Sequence, residues 1–245
     1  MIASASHTSS TALVTGASGG IGKEIARQLA AAGLAVLVGC RTVERGEQAV
    51  EEIGENARLL VLDVTDSTSI DDAAAQVGQL DVLVNNAGMM VDGESAPDAS
   101  VESFRRTYET NVFGVLAVTN ALLPLLRRSA HPRIVNVSSG TGSLGWSSGP
   151  NPQFPFETGG TAAAYRSSKT ALNALTLFYA QALASDGFKV NALAPGLRAT
   201  NLNARAAASG GDPAEAAAGA VRLALLPDDG PTGQFFSWDG TGVPW

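Results

Sequence analysis

The sequence of 245 residues is short of the groups that most specialised chemistries require. One cysteine, Cys40, excludes an intramolecular disulfide, and two histidines, His7 and His131, are too few for a histidine-based metal cluster. No metal site is expected, and a reducing, cytoplasmic compartment fits the cysteine usage. Nowhere do 18 apolar residues run together, and residues 1–10 carry no Lys or Arg and no continuous apolar core. They read as a flexible polar tail, and no membrane partner is expected. Sixteen basic residues against 23 acidic give a net charge of −7, and no run of Lys or Arg supplies a stripe for a phosphate backbone. Nucleic acid is therefore not an expected partner.

What the chain has is apolar content, 45% of its residues, in a regular alternation. Short β-branched or Leu-rich runs alternate with longer helical patterns from Thr11 almost to the end, without a linker or repeat. That pattern predicts one α/β domain over residues 11–245 with a parallel sheet. Seven strands are expected: 12–15, 35–39, 58–64, 81–85, 133–138, 189–194 and 234–238. Most are continuously apolar, as strands buried on both faces must be. Ile21, Ile25 and Leu29 recur every four residues and Gly33 follows as a stop, which predicts the first helix. A longer one is expected from Val101 to Arg128, with Phe104, Tyr108, Val112, Leu116, Thr119 and Leu123 on its apolar face and Pro124 bending or ending it. Others are expected from Tyr165 to about Ala184 and from Pro213, capped by Asp212. The Pro- and Phe-rich segment 146–160 suits no regular element and reads as an ordered loop or lid.

Directly after the first strand comes Thr15-Gly16-Ala17-Ser18-Gly19-Gly20-Ile21-Gly22, running into the first helix. Glycines there allow a tight turn and close approach of a pyrophosphate, which the helix N-terminus stabilises through its free N–H groups. A plain tight turn would need no such strand and helix on either side. In NAD-binding units an acidic residue about 20 positions further accepts hydrogen bonds from the ribose 2′-hydroxyl, whereas an Arg accommodates a 2′-phosphate. Here the second strand ends in Gly39-Cys40 with no acid, followed by Arg41 and, one turn later, Arg45. NADP(H) is favoured, the alternative being an Arg41 that merely faces solvent.

Tyr165 and Lys169 lie four residues apart, hence on one face of a helix. A cation about 4 Å from a phenol, at an effective dielectric near 20, favours phenolate by up to about 4 kcal/mol, or about three pKa units. On that reading Tyr165 exchanges a proton with a carbonyl or alcohol oxygen near neutral pH. Asn111 falls seven residues after Phe104, on the buried face of its helix, where its amide needs partners.

Together, Thr15-Gly-x-x-x-Gly-Ile-Gly22, Asp63-Val64, Asn85-Asn86-Ala87-Gly88, Ser138-Ser139, Tyr165-Arg-Ser-Ser-Lys169 and Pro195-Gly196, in this order at strand ends, make the chain resemble the short-chain dehydrogenase/reductase family. The resemblance spans Thr11 to about Gly240. It implies a Rossmann fold, a doubly wound seven-stranded parallel sheet with helices on both faces. By the same resemblance Ser139 hydrogen-bonds the substrate oxygen, Tyr165 transfers the proton, Lys169 also holds the nicotinamide ribose, and Asn111 holds a water that relays protons to Lys169. The cofactor contacts it implies are Gly16, Ser18, Gly20, Ile21 and Gly22 in the turn, then Arg41, Asp63 and Val64. Asn86, Ala87 and Gly88 follow, with Tyr165, Lys169, Pro195, Gly196, Leu197 and Thr200.

Ser139 and Tyr165 are 26 residues apart, about a dozen more than in compact family members, and this insertion looks similar to the carbonyl reductase branch. Whether it leaves the chain a monomer or a homo-oligomer is open. The Ala-rich segment 197–211 is a candidate substrate lid. Met89, Met90, Leu144, Trp146, Phe154 and Phe156 are candidates for an apolar lining. Gly145-Trp-Ser147-Ser-Gly149 matches a hydrolase nucleophile pattern, but no histidine follows it to complete a triad. Asn136-Val-Ser138, a glycosylation pattern, falls on a buried strand. The expected function is NADPH-dependent reduction of a ketone or aldehyde. The alternatives are an alcohol dehydrogenase running the other way and a non-catalytic NADP(H)-binding sensor or scaffold protein.

Overall fold

The computed structural model describes residues 10–91, 93–154 and 160–245. The expected N-terminal tail, apart from Ser10, and Phe156 of the inserted loop lie outside the described residues.

Seven strands form one sheet in the order β3-β2-β1-β4-β5-β6-β7, every neighbouring pair parallel. They are β1 Thr11–Thr15, β2 Ala35–Cys40, β3 Ala57–Val61, β4 Val82–Asn85, β5 Arg133–Val137, β6 Lys189–Ala194 and β7 Phe235–Ser237. Side chains alternate between the two faces of a strand, and here both faces are covered. Ala12 and Val14 of β1 join Val36, Val38 and Val84 in a core with Ile25 and Leu29. Leu13, between them, joins Leu37, Leu83 and Ile134 on the opposite face with Val118, Leu122 and Leu126. Two cores on one sheet explain why the strands read as unbroken apolar runs.

The helices are α1 Gly20–Ala31, α2 Val43–Ile53, α3 Ser67–Gln76, α4 Val101–Tyr108, α5 Gly114–Leu126, α6 Leu144–Ser147, α7 Ala163–Ala182, α8 Ala204–Ala207 and α9 Pro213–Ala224. Asp212 caps α9 by accepting from the Ala214 N–H at 2.9 Å, as its spacing predicts.

Two expectations need correction. The third strand ends at Val61 rather than Val64. The Asp63 carboxylate accepts from Thr65 N–H and Oγ1, and its own N–H donates to Ser69 Oγ, so a side-chain-bonded turn replaces the ladder. The long helix is not one regular face either. Residues Glu109–Phe113 form a π-helical turn between α4 and α5. Its extra residue rotates everything downstream, so Val115, Val118, Thr119, Leu122 and Leu126 face inward while Leu116 faces out. Pro124 lies inside α5, which ends two residues later. The run Val101–Leu126 is long and apolar enough to cross a membrane by length and composition, with 44% of its most apolar window buried in this fold.

The inserted segment begins with α6 and is then held by side chains. Asn151 Nδ2 donates to Gly140 O, and its Oδ1 accepts from Gln153 and Phe154 N–H. Gln153 Nε2 donates to Ala194 O and Ser237 Oγ. Trp146 packs with Phe235 and Val243, and Trp245 stacks on Phe235 at 5.5 Å.

Candidate active site

The order of strands reverses between β1 and β4, and ligands of open α/β sheets bind outside the carboxyl ends at such a point. A cleft of about 1120 Å³ opens there. Its wall takes in every cofactor position expected from the sequence, from Gly16, Ser18, Gly20, Ile21 and Gly22 through Arg41, Asp63, Val64 and Asn86–Gly88 to Pro195, Gly196, Leu197 and Thr200. Ser139, Tyr165 and Lys169 share it. Asn111 does not reach the wall and is fully buried behind it.

The glycine turn is fixed from below. Thr15 Oγ1 accepts from the N–H groups of Asn86 and Ala87 at 3.0 Å each, and Asn86 Nδ2 donates back to Thr15 O and Gly16 O. At Gly22 a Cβ would lie 2.5 Å from Gly16 O, so only glycine lets α1 start this close to β1. No side chain caps α1 and no acid sits in its first turn. Its N–H groups and partial positive charge are left to an anion in the cleft. The arrangement fits the pyrophosphate of a dinucleotide. At the end of β2, Cys40 is buried with its Sγ bonded to Thr42 O, and Arg41 and Arg45 line the cleft. Burial pushes the Asp63 carboxyl up, but the Thr65 N–H and hydroxyl and the Arg41 charge outweigh it, and Asp63 stays below the ordinary aspartate range.

On the opposite wall, Ser139 follows β5 and Tyr165 lies in the first turn of α7. The Ser139 hydroxyl stands near enough to the Tyr165 phenol to favour its ionised form. Ser139 Oγ is also bonded to Thr141 Oγ1 at 2.9 Å and accepts from Thr141 N–H. The turn 140–142 presses on α7, since a Cβ at Gly142 would stand 2.7 Å from Lys169 Cβ. Lys169 is 4% exposed, donates from Nζ to Val137 O at 2.9 Å, and places that Nζ 5.7 Å from the centre of the Tyr165 ring.

This overturns the expected depression of the phenol. Burial pushes Tyr165 up to about 12, only partly opposed by the Ser139 hydroxyl. Burial likewise pushes Lys169 down to about 8. The ammonium is turned toward Val137 O rather than the phenol, and desolvation of both groups exceeds their mutual attraction.

Asn111 sits in the π turn, with Oδ1 accepting from Met89 N–H and Nδ2 donating to Met89 O and Ser168 Oγ. Ser168 in turn donates to Tyr165 O. The amide thus clamps the β4 loop to the helix of Tyr165. Ser168 was not singled out from the sequence; a serine three residues after the tyrosine on its helix is the available signal. Arg198 was also missed. It is buried, donates to Pro195 O and Glu215, and stacks on Trp238 at 4.3 Å, while Ala199 N–H bonds Gly211 O and so closes the base of the candidate lid. Met89, Met90 and Phe154 line the cleft, but Leu144 is exposed and Trp146 belongs to the C-terminal core.

Comparison with known proteins agrees with this geometry. Salutaridine reductase of Papaver bracteatum is 37% identical over 92% of this chain and 93% of its own length. The (-)-isopiperitenone reductase of Mentha piperita is 35% identical, over 93% and 96%. The crystal structure of NADPH-bound carbonyl reductase from chicken fatty liver superposes with a TM-score of 0.84 at 28% identity, covering 97% of this chain and 99% of that one. Residues 10–209 match the short chain dehydrogenase family, and the chain belongs to that family, among whose members are carbonyl reductases.

Proposed function

We propose that this protein is an NADPH-dependent reductase that converts a ketone or aldehyde to the corresponding alcohol, with Tyr165 as proton donor. The observation that carries the reading is that Ser139, Tyr165 and Lys169 meet on one wall of the cleft whose other wall is the glycine turn, with a phenol whose pKa desolvation raises. A protonated phenol is poised to give its proton to a developing alkoxide, which is the reductive direction. An alcohol dehydrogenase running the other way would instead need phenolate at the start.

A nicotinamide cofactor, which members of this family bind, would supply the hydride. The chain's own residues do the rest. Gly16–Gly22 and the start of α1 receive the pyrophosphate, and Arg41 and Arg45 receive a 2′-phosphate where NAD-specific proteins place a carboxylate. Ser139 Oγ, beside the phenol on the cleft wall, holds the carbonyl oxygen next to it. Lys169, fixed by Val137 O, stabilises charge left on Tyr165 after proton transfer. Asn111 and Ser168 are positioning residues, since they act through the α7 backbone and the Met89 loop.

The test follows NADPH and NADH oxidation against aliphatic, aromatic and cyclic carbonyls. Tyr165→Phe is expected to lose roughly 10²–10⁴-fold in turnover while still binding NADPH. Full activity in that variant would remove the proton-donor role. Tight NADPH binding with no carbonyl turned over would replace the reductase reading with the sensor one.

A further inference from the structure

We infer that the substrate carries an anionic group, a carboxylate or phosphate, at the end remote from its carbonyl, and that Arg106 and Arg166 receive it. The inference rests on the reductase reading and deepens it. The protein has a net charge of −7, yet seven of its 16 basic residues line the cleft, against one carboxylate, Asp63, among the described residues. Random placement on an acidic protein would give the opposite balance.

The cofactor does not use up this surplus. Arg41 follows β2 and Arg45 lies in the first turn of α2, where the adenosine half would lie, and Lys169 is buried beneath Tyr165. Arg198 is matched by Glu215 at 2.7 Å, and Arg205, the seventh, has an interaction of its own. Arg106, on α4, has no carboxylate partner among the described residues. Arg166 directly follows Tyr165 and, among the described residues, donates from Nη2 to a neutral acceptor, Ser147 Oγ, at 3.1 Å. That hydroxyl donates to Thr141 O, two residues from Ser139, so the guanidinium is held on the Ser139 side of the cleft. A carbonyl between Ser139 and Tyr165 therefore has a cation beside it with no carboxylate paired to it among the described residues. Met89, Met90 and Phe154 supply apolar surface in the same cleft. The combination suits a keto acid or keto phosphate with an apolar body and disfavours a cationic carbonyl.

The test uses the intact enzyme with saturating NADPH at about pH 7.5, where a carboxylate is ionised. The probes are 4-acetylbenzoate, its methyl ester, 4-acetylphenyl phosphate and 4-acetyl-N,N,N-trimethylanilinium. The anions are expected to exceed the ester in kcat/KM by about fivefold or more and the cation to fall below it, with the better anion sorting carboxylate from phosphate. Raising NaCl from about 20 to about 300 mM should shrink the anion-to-ester ratio in the wild-type protein. Arg106→Gln and Arg166→Gln should each lower that ratio severalfold. Equal use of all four probes, or a ratio unmoved by salt, overturns this inference while leaving the reductase reading in place. If NADPH binds but none of the probes or other carbonyls is reduced, both fall together.

Discussion

Lys169 gives a prediction that separates what the site costs the fold from what it contributes to chemistry. Lys169 is 4% exposed, and among the described residues its ammonium has one hydrogen bond, to Val137 O. Burial moves its pKa from 10.5 to about 8. At about 1.4 kcal/mol per pKa unit, holding this proton in the folded cofactor-free protein costs about 3 kcal/mol below pH 8. The bond to Val137 O returns about 1 kcal/mol net. Lys169→Met, similar in length and apolar, should therefore stabilise the cofactor-free protein by about 2 kcal/mol at pH 7, or about 4–8 °C in Tm for a domain of this size. Turnover should fall at the same time.

The sign of the pH dependence follows from which state holds the proton. Below pH 8 both folded and unfolded chains are protonated and the folded one bears the full cost. Between pH 8 and 10.5 the unfolded chain binds more protons than the folded one, so wild-type stability rises with pH relative to the variant. Tyr165, raised to about 12, acts oppositely but only above pH 10, where the unfolded phenol ionises first. Urea melts of both proteins at intervals from about pH 6 to about pH 9.5 keep clear of it. The methionine variant's advantage should lose about 2 kcal/mol between pH 8 and 9.5. A difference that stays flat across that range would refute the buried-cation argument, as would a variant less stable than wild type at pH 7.

Three further changes test the site. Arg41→Asp replaces a cation at the end of β2 with the carboxylate that receives a 2′-hydroxyl, and titration of both cofactors should move the preference toward NADH by about 10- to 100-fold. Gly142→Ala places a methyl 2.7 Å from Lys169 Cβ and must part the 140–142 turn from α7, so kcat should fall more than NADPH affinity. Asn136→Val interrupts the buried line in which Asn85 Nδ2 donates to Thr119 Oγ1 and Asn136 Oδ1, and Asn136 Nδ2 to Thr176 Oγ1. Groups left unpaired there cost about 1–3 kcal/mol each, and thermal melts should show the loss.

The seven strands and the glycine turn were legible because their signals are local: unbroken apolar runs for buried strands, and glycines between a strand and a helix. The inward face of the helix after Asn111 was not, because a single extra residue in the π turn rotates Leu116 outward, and nothing in the 3.6-residue pattern marks that insertion. The protonation of Tyr165 failed for a different reason. Spacing places Lys169 on the same face, but the balance between attraction and desolvation depends on where Nζ points, and Val137 O, 32 residues away in sequence, decides that. Arg198 and Asn151 escaped notice in the same way. Both sit in segments that read as loose, and both are held by partners distant in the chain or in a neighbouring turn.

The same reasoning revises what the overall charge means. A net of −7 argues against a polyanionic partner spread over the surface, yet the cleft concentrates positive charge where strand order reverses. The uncapped start of α1, Arg41 and Arg45 face one part of it, and Arg106 and Arg166 flank the rest. Among the described residues, Asp63 is the one carboxylate that lines the cleft. Because the Debye length at physiological salt is about 8 Å, more distant carboxylates barely oppose an anion within the cleft. Local placement, rather than the sum of charges, therefore sets which molecules enter.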